Sequence, residues 1–179
     1  MGSGKIVTIF GSSRAKKGSK AYEEAYKLGK SLAEAGFVVC NGGYRGIMEA
    51  SSKGAKEAGG KTVGITTEAF EKSPPNSWVD IESRSKSYME RLMVITSVAD
   101  AFIVLKGGIG TLAEMTFSWT LTTVGELRKP IVLVGEAWQR TIDILSEHLL
   151  ITRSDIRTLK LVKTPEEAVE LLNEFWGDG

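Results

Sequence analysis

Ala101-Phe102-Ile103-Val104-Leu105-Lys106-Gly107-Gly108-Ile109-Gly110-Thr111-Leu112-Ala113-Glu114 decides the architecture. Its opening apolar run is too short for a helix and has the length of a buried strand. Glycines break the run, and a helical pattern continues to about Val124. Strand, glycine turn and helix form the repeating unit of an α/β sheet, and the unit recurs in both directions along the chain. Upstream, Lys5–Phe10 leads through Gly11-Ser12-Ser13 to a helix carrying Ala21, Ala25, Leu28 and Leu32 on one face, stopped by Gly36. Phe37–Cys40 leads through Asn41-Gly42-Gly43 to a helix near Ile47–Ala58, and Lys61–Thr66 is a third strand. Downstream, Ile131–Val134 and Thr158–Val162 read as strands, with helices at Ala137–His148 and Pro165–Trp176. Thr67 to Arg84 reads as a long loop around Ser73-Pro74-Pro75-Asn76, with a short strand at Trp78–Ile81, before a helix over Ser85–Ala99.

Strands that are apolar throughout, separated by helices, predict a doubly wound, mainly parallel sheet of six or seven strands with helices on both faces. No linker or repeat interrupts the pattern, so one domain is expected over residues 1–179. The composition agrees: of 179 residues 42% are hydrophobic and 25% charged, the usage of an ordinary globular domain. A net charge of +1 disfavours a nucleic-acid binder or a membrane-surface protein. No apolar stretch approaches the ~20 residues of a membrane span. With no leader-like segment either, a cytoplasmic location is expected. One cysteine and one histidine exclude an intrachain disulfide and a Cys/His zinc cluster, and no metal or cofactor is expected. Cys40, ending an apolar run, reads as a buried inert thiol.

In such a sheet, ligands bind beyond the carboxyl ends of the strands. Three of those ends carry small-residue turns, which lets backbone N–H groups approach an anion. One such turn is ordinary turn chemistry. Three on one edge point to a phosphate-bearing small molecule, with Gly11, Ser12, Gly42, Gly43, Gly107, Gly108, Gly110 and Thr111 as the candidate binding residues. The turns match neither G-x-G-x-x-G nor a P-loop, and no acidic residue closes the second strand to hold a ribose. An NAD enzyme and an ATPase are therefore disfavoured.

Two charged residues lie close to this edge in the chain. Thr111-Leu112-Ala113-Glu114 has the spelling of a helix capping box, as does Thr164-Pro165-Glu166-Glu167, where a structural role is expected. Glu114 is thus open to a capping or a chemical reading. Arg91 adjoins Leu92-Met93-Val94-Ile95, a helical stretch apolar around its whole circumference and so expected to be covered by core or by a second subunit. An arginine there either snorkels to solvent or meets an acidic or phosphate partner.

Together these blocks resemble the Lonely Guy family of cytokinin riboside 5′-monophosphate phosphoribohydrolases, also called possible lysine decarboxylases. The resemblance rests on Ile9–Ser13, on Asn41–Glu49, and on Met89-Glu90-Arg91 joined to Gly107–Glu114. It implies a Rossmann-like homodimer that hydrolyses the N-glycosidic bond of a nucleoside 5′-monophosphate without a cofactor. Arg91 and Glu114 would be the catalytic pair, and Gly107, Gly108, Gly110 and Thr111 would hold the phosphate. A carboxylate suits that chemistry, because it stabilises positive charge developing on the ribose and activates water. The chain departs from the family's PGGxGTxxE and MHERK signatures at Lys106, Tyr88, Met89 and Leu92. Its Gly42–Glu49 block looks closer to a bacterial branch that resembles molybdenum-cofactor carrier proteins. The alternative function is accordingly a non-catalytic nucleotide or cofactor carrier.

Overall fold

Seven strands run parallel in one sheet in the computed structural model, which describes residues 4–70 and 74–177. They are β1 (Ile6–Phe10), β2 (Val38–Asn41), β3 (Thr62–Thr67), β4 (Ile81–Ser85), β5 (Ala101–Val104), β6 (Ile131–Val134) and β7 (Leu159–Val162). The helices are α1 (Lys20–Glu34), α2 (Ile47–Glu57), α3 (Tyr88–Val98), α4 (Ile109–Thr123), α5 (Glu136–His148), α6 (Arg153–Arg157) and α7 (Pro165–Gly177). The strand order is β4-β3-β2-β1-β5-β6-β7. Winding therefore proceeds outward in one direction from β1 and in the other from β5. The switch point between them, where loops diverge and leave a crevice, lies beyond Phe10 and Val104.

Burial on both sides explains why the central strands are apolar at every position. On one face Val7, Ile9, Val39, Ile103 and Val132 pack against Leu28 and Leu32 of α1, Ile47 of α2 and Leu172 of α7. On the other, Phe10, Cys40, Ile65, Phe102, Val104 and Leu133 pack against Ile95 of α3, Met115 and Trp119 of α4, and Trp138 of α5. Cys40 is fully buried, which pushes its thiol up to about 12 and leaves it unreactive at neutral pH.

The expected elements differ from the observed ones mainly between β3 and α3. The strand predicted at Trp78–Ile81 lies at Ile81–Ser85, and α3 starts at Tyr88 rather than Ser85. β4 is an edge strand whose Ile81, Glu82 and Arg84 face solvent, so it lacks the apolar run that marks its neighbours. Ser87 is the true cap of α3: its Oγ accepts from the Glu90 N–H at 3.1 Å, while the Glu90 carboxylate accepts from the Lys86 N–H at 2.7 Å. Glu68–Phe70 forms a 3-10 turn within the expected loop, and Ser73 lies outside the described residues. α6 is unheralded by periodicity, and the Thr152–Asp155 capping box alone marks its start.

Within one chain α3 is covered on one side only. Leu92 and Ile95 are buried, but Met89 and Met93, one turn apart, are 63% and 59% exposed. The apolar circumference is therefore only half used within one chain.

Candidate functional site

Arg91 is 3% exposed and Glu114 8%, and the guanidinium Nη1 donates to Glu114 Oε1 at 2.9 Å. α3 brings in the arginine and α4 the carboxylate. A third element fixes the geometry, because Arg91 Nε donates to the Ile65 carbonyl of β3 at 2.7 Å. Removing two such charges from water costs several kcal/mol per ion, which only close pairing and further hydrogen bonds offset. The snorkelling reading of Arg91 does not hold.

The capping reading of Glu114 fails too. The cap of α4 is Gly108, so Thr111 stands within the helix and Glu114 lies a turn further in, facing Arg91. The matching Thr164 spelling does act as a cap, its Oγ1 accepting from the Glu167 N–H at 3.3 Å.

With glycine at the cap there is no side-chain acceptor at the start of α4. The N–H groups of Ile109, Gly110 and Thr111 precede the first intrahelical bond, that of Leu112 N–H to the Gly108 carbonyl. They offer donors and the positive end of the helix dipole. Lys106, Gly107, Gly108 and Gly110 are exposed, and Gly110 stands one turn from Glu114 on the same side of the helix. An open helix start with free N–H donors thus adjoins a buried carboxylate.

The other expected binding residues lie in the loops after β1 and β2, with Gly11 and Ser12 half-buried and Gly42 and Gly43 buried. The Ile47 side chain occupies the space a side chain at Gly11 would need. The Ser12 N–H donates to the Lys106 carbonyl at 3.3 Å, and the Ser12 carbonyl accepts from the Ile47 N–H at 3.0 Å, so this loop stitches together the loops after β5 and β2. The Gly43 N–H donates to Asn41 Oδ1 at 2.8 Å, and its carbonyl accepts from Asn76. At Gly42 a Cβ would occupy the place of Arg91 Nη2 and meet Met48 Sδ at 2.7 Å, so only glycine admits the guanidinium. The Thr111 side chain closes over Gly107.

Asn41, Gly46 and Tyr88 were not among the candidate site residues read from the sequence. Asn41 is fully buried and also donates to the Met48 carbonyl at 3.0 Å and to Ser52 Oγ at 2.9 Å, tying the glycine turn to α2. A polar residue closing an apolar strand ahead of two glycines was the available signal. Gly46 has φ +67 and lies against the Ser12 carbonyl, where no side chain fits. The Tyr88 ring centroid lies 5.8 Å from the Arg91 guanidinium carbon.

Burial raises the Glu114 pKa from the ordinary 4.5, and the Arg91 charge and hydrogen bond only partly oppose it. A folded carboxyl that holds its proton more tightly than the unfolded chain adds stability at low pH. That increment is lost as pH rises from 4.5 through the raised value. The unfolding free energy of wild type minus that of Glu114→Gln should therefore decline with pH over this range and then level off. Urea titrations at a series of pH values read it, and a difference that grows with pH would show a lowered pKa instead.

Among the described residues no three His, Cys, Asp or Glu side chains cluster to hold a metal ion, and no helix is long and apolar enough to cross a membrane. A cleft of about 370 Å³ opens at the amino ends of β6 and β7, among Arg128, Lys129, Arg157, Lys160 and Phe175. It includes none of the candidate site residues.

Comparisons with known proteins bear on this site. The model of the SLOG cluster4 family matches residues 4–169. An uncharacterized protein of Archaeoglobus fulgidus is 32% identical over 151 residues, 84% of this chain and 83% of that protein. The cytokinin riboside 5′-monophosphate phosphoribohydrolase LOG of Oryza sativa subsp. japonica is 30% identical over 179 residues, 96% of this chain and 73% of the rice protein. Among solved structures, the molybdenum cofactor binding protein of Rippkaea orientalis has a TM-score of 0.77 at 24% identity, covering 96% of this chain and 97% of that one. That last likeness is one of fold.

Proposed function

From the premise that the chain belongs to the SLOG cluster4 family, we propose that it binds a phosphate-bearing small molecule of the nucleotide class in the β1–β5 crevice. The observation that carries this reading is the uncapped start of α4 beside the buried Arg91–Glu114 pair. The phosphate takes the N–H groups of Ile109–Thr111, with Gly107, Gly108 and Gly110 leaving the approach free of side chains. Gly11, Ser12, Gly42 and Gly43 shape the opposite wall. Retention of the ligand without turnover is the fate we favour. It is supported by a fold likeness to a molybdenum cofactor binding protein that runs nearly the full length of both chains. Met89 and Leu92, two of the positions at which the chain departs from the MHERK signature, place no charged side chain beside the pair.

The second reading, hydrolysis of a nucleoside 5′-monophosphate to base and ribose 5-phosphate, draws on the pair itself and on the rice relative. Only one oxygen of Glu114 is engaged by Arg91. The other is available to steady a positive ribose ring and to take a proton from water, while the arginine holds the carboxylate in place. Burial raises the Glu114 pKa, which makes the carboxylate a stronger proton acceptor than an exposed one. We also propose a homodimer, in which a second copy covers Met89 and Met93.

One preparation tests all three statements. Calorimetry with AMP and a cytokinin riboside monophosphate should show stoichiometric binding, and chromatography of the same mixtures should show no free base. Release of base by wild type but not by Glu114→Gln would replace retention with hydrolysis. Absence of binding by any phosphorylated nucleoside would remove both. Sedimentation that finds only monomer at micromolar concentration would remove the dimer.

A further inference from the structure

We propose that Tyr88 is a ligand-binding residue whose hydroxyl donates a hydrogen bond to the phosphoryl group seated at the start of α4. This rests on the binding reading above and deepens it by naming the side chain that reads the phosphate.

The position of the ring is set from two sides. Phe70 lies against it with centroids 6.1 Å apart, and Phe70 in turn meets Tyr44 edge-on at 5.6 Å. Tyr44 is buried and anchored, its hydroxyl accepting from the Thr67 N–H at 2.9 Å. On the other side stands the Arg91 guanidinium, itself fixed by Glu114 and Ile65. A ring held between an aromatic neighbour and a fixed cation has little rotamer freedom.

That orientation carries the hydroxyl to α4, where a Cβ built on Gly110 would lie 4.0 Å from Tyr88 Oη. The ring is half-buried, yet the hydroxyl makes no hydrogen bond to any described residue. Here the phenol stands over Gly110 in the first turn of α4, so its donor and the free N–H groups of Ile109–Thr111 lie at the same end of the helix. Such a grouping of donors calls for an acceptor with several oxygens, which a phosphoryl group provides. Burial and the nearby Glu114 charge raise the phenol's pKa, which keeps it a donor at neutral pH. Gly110 completes the arrangement, since any larger residue would put atoms between the hydroxyl and the helix start.

The test compares wild type, Tyr88→Phe and Gly110→Ala by calorimetry with two probes, ribose 5-phosphate and inorganic phosphate, alongside thermal unfolding. Phenylalanine keeps the ring against Phe70 and Arg91, so Tm should hold while both probes bind about tenfold more weakly. Gly110→Ala places a methyl in the binding space at ordinary contact distance from the protein. It should retain or raise Tm while losing tenfold or more in affinity. Equal affinity in wild type and Tyr88→Phe overturns the assignment and leaves the binding reading intact. A loss confined to ribose 5-phosphate would move the hydroxyl to the sugar and overturn the phosphoryl contact. A fall in Tm with Tyr88→Phe marks a structural role and overturns it as well. Failure of wild type to bind either probe removes the underlying reading, and the assignment with it.

Discussion

Arg91→Met is expected to lower the unfolding free energy by about 3–5 kcal/mol, because it leaves Glu114 buried without its cation. For a chain of 179 residues that is a fall in Tm of about 6–20 °C. Glu114→Leu should cost a similar amount from the other side, stranding the guanidinium. Making both changes together should recover most of the loss, since apolar groups of like volume replace a buried ion pair at little cost. The recovery should fall short by about 1 kcal/mol, because the Ile65 carbonyl loses its donor in either arginine variant. Urea unfolding of the four proteins measures the cycle, and additive costs would mean that the two charges do not support each other. Glu114→Gln, the natural variant for a turnover assay, weakens the same pair. Its activity is therefore to be read only below its own unfolding transition.

Gly42→Ala should strike directly at the buried pair. The new Cβ would displace Arg91 Nη2 and press on Met48 Sδ. The guanidinium must then leave Glu114, or the turn must break the Asn41 contacts to Gly43, Met48 and Ser52. Either route disrupts a buried polar network, and a loss of about 3–5 kcal/mol is expected with loss of ribose 5-phosphate binding. Gly108→Ala is the stability control, because nothing lies within 4 Å of its Cβ and only the poorer capping of α4 by alanine, about 1 kcal/mol, should register. Introducing Gly42→Ala into Arg91→Met should cost less than in wild type, the clash with Nη2 having been removed and only that with Met48 Sδ remaining. An unchanged Tm for Gly42→Ala would show slack in the turn.

Most of the sheet was legible because its central strands are buried on both faces, which leaves apolar runs between glycine turns. The exception, β4, is an edge strand, and its Glu82 and Arg84 resemble loop residues. The same limit explains the misplaced start of α3: Ser87 and Glu90 cap it from a polar segment with no periodicity to align them. In the crevice, the residue types of Arg91 and Glu114 were informative, but their meeting depends on β3 offering the Ile65 carbonyl and on Gly42 offering room. Neither condition is local in the chain. The glycine motifs were visible as motifs. What separates Gly11, which accommodates Ile47, from Gly108, which faces open space, is packing that spacing does not encode.

The pairing of β1 with β5 has a consequence for how the molecule assembles. The Ile6 N–H donates to Asp100 Oδ2, 94 residues away, so the middle of the sheet is joined by one of its most distant contacts in sequence. Closing so long a loop is repaid only once both strands are in place, which makes this seam a slow and late event. β1–β4 and β5–β7 each have nearer partners with which to begin. The crevice lies over the seam and exists only after it closes. A ligand spanning the loops after β1 and β5 has nothing to recognise during folding, so it acts by retarding the opening of the finished molecule.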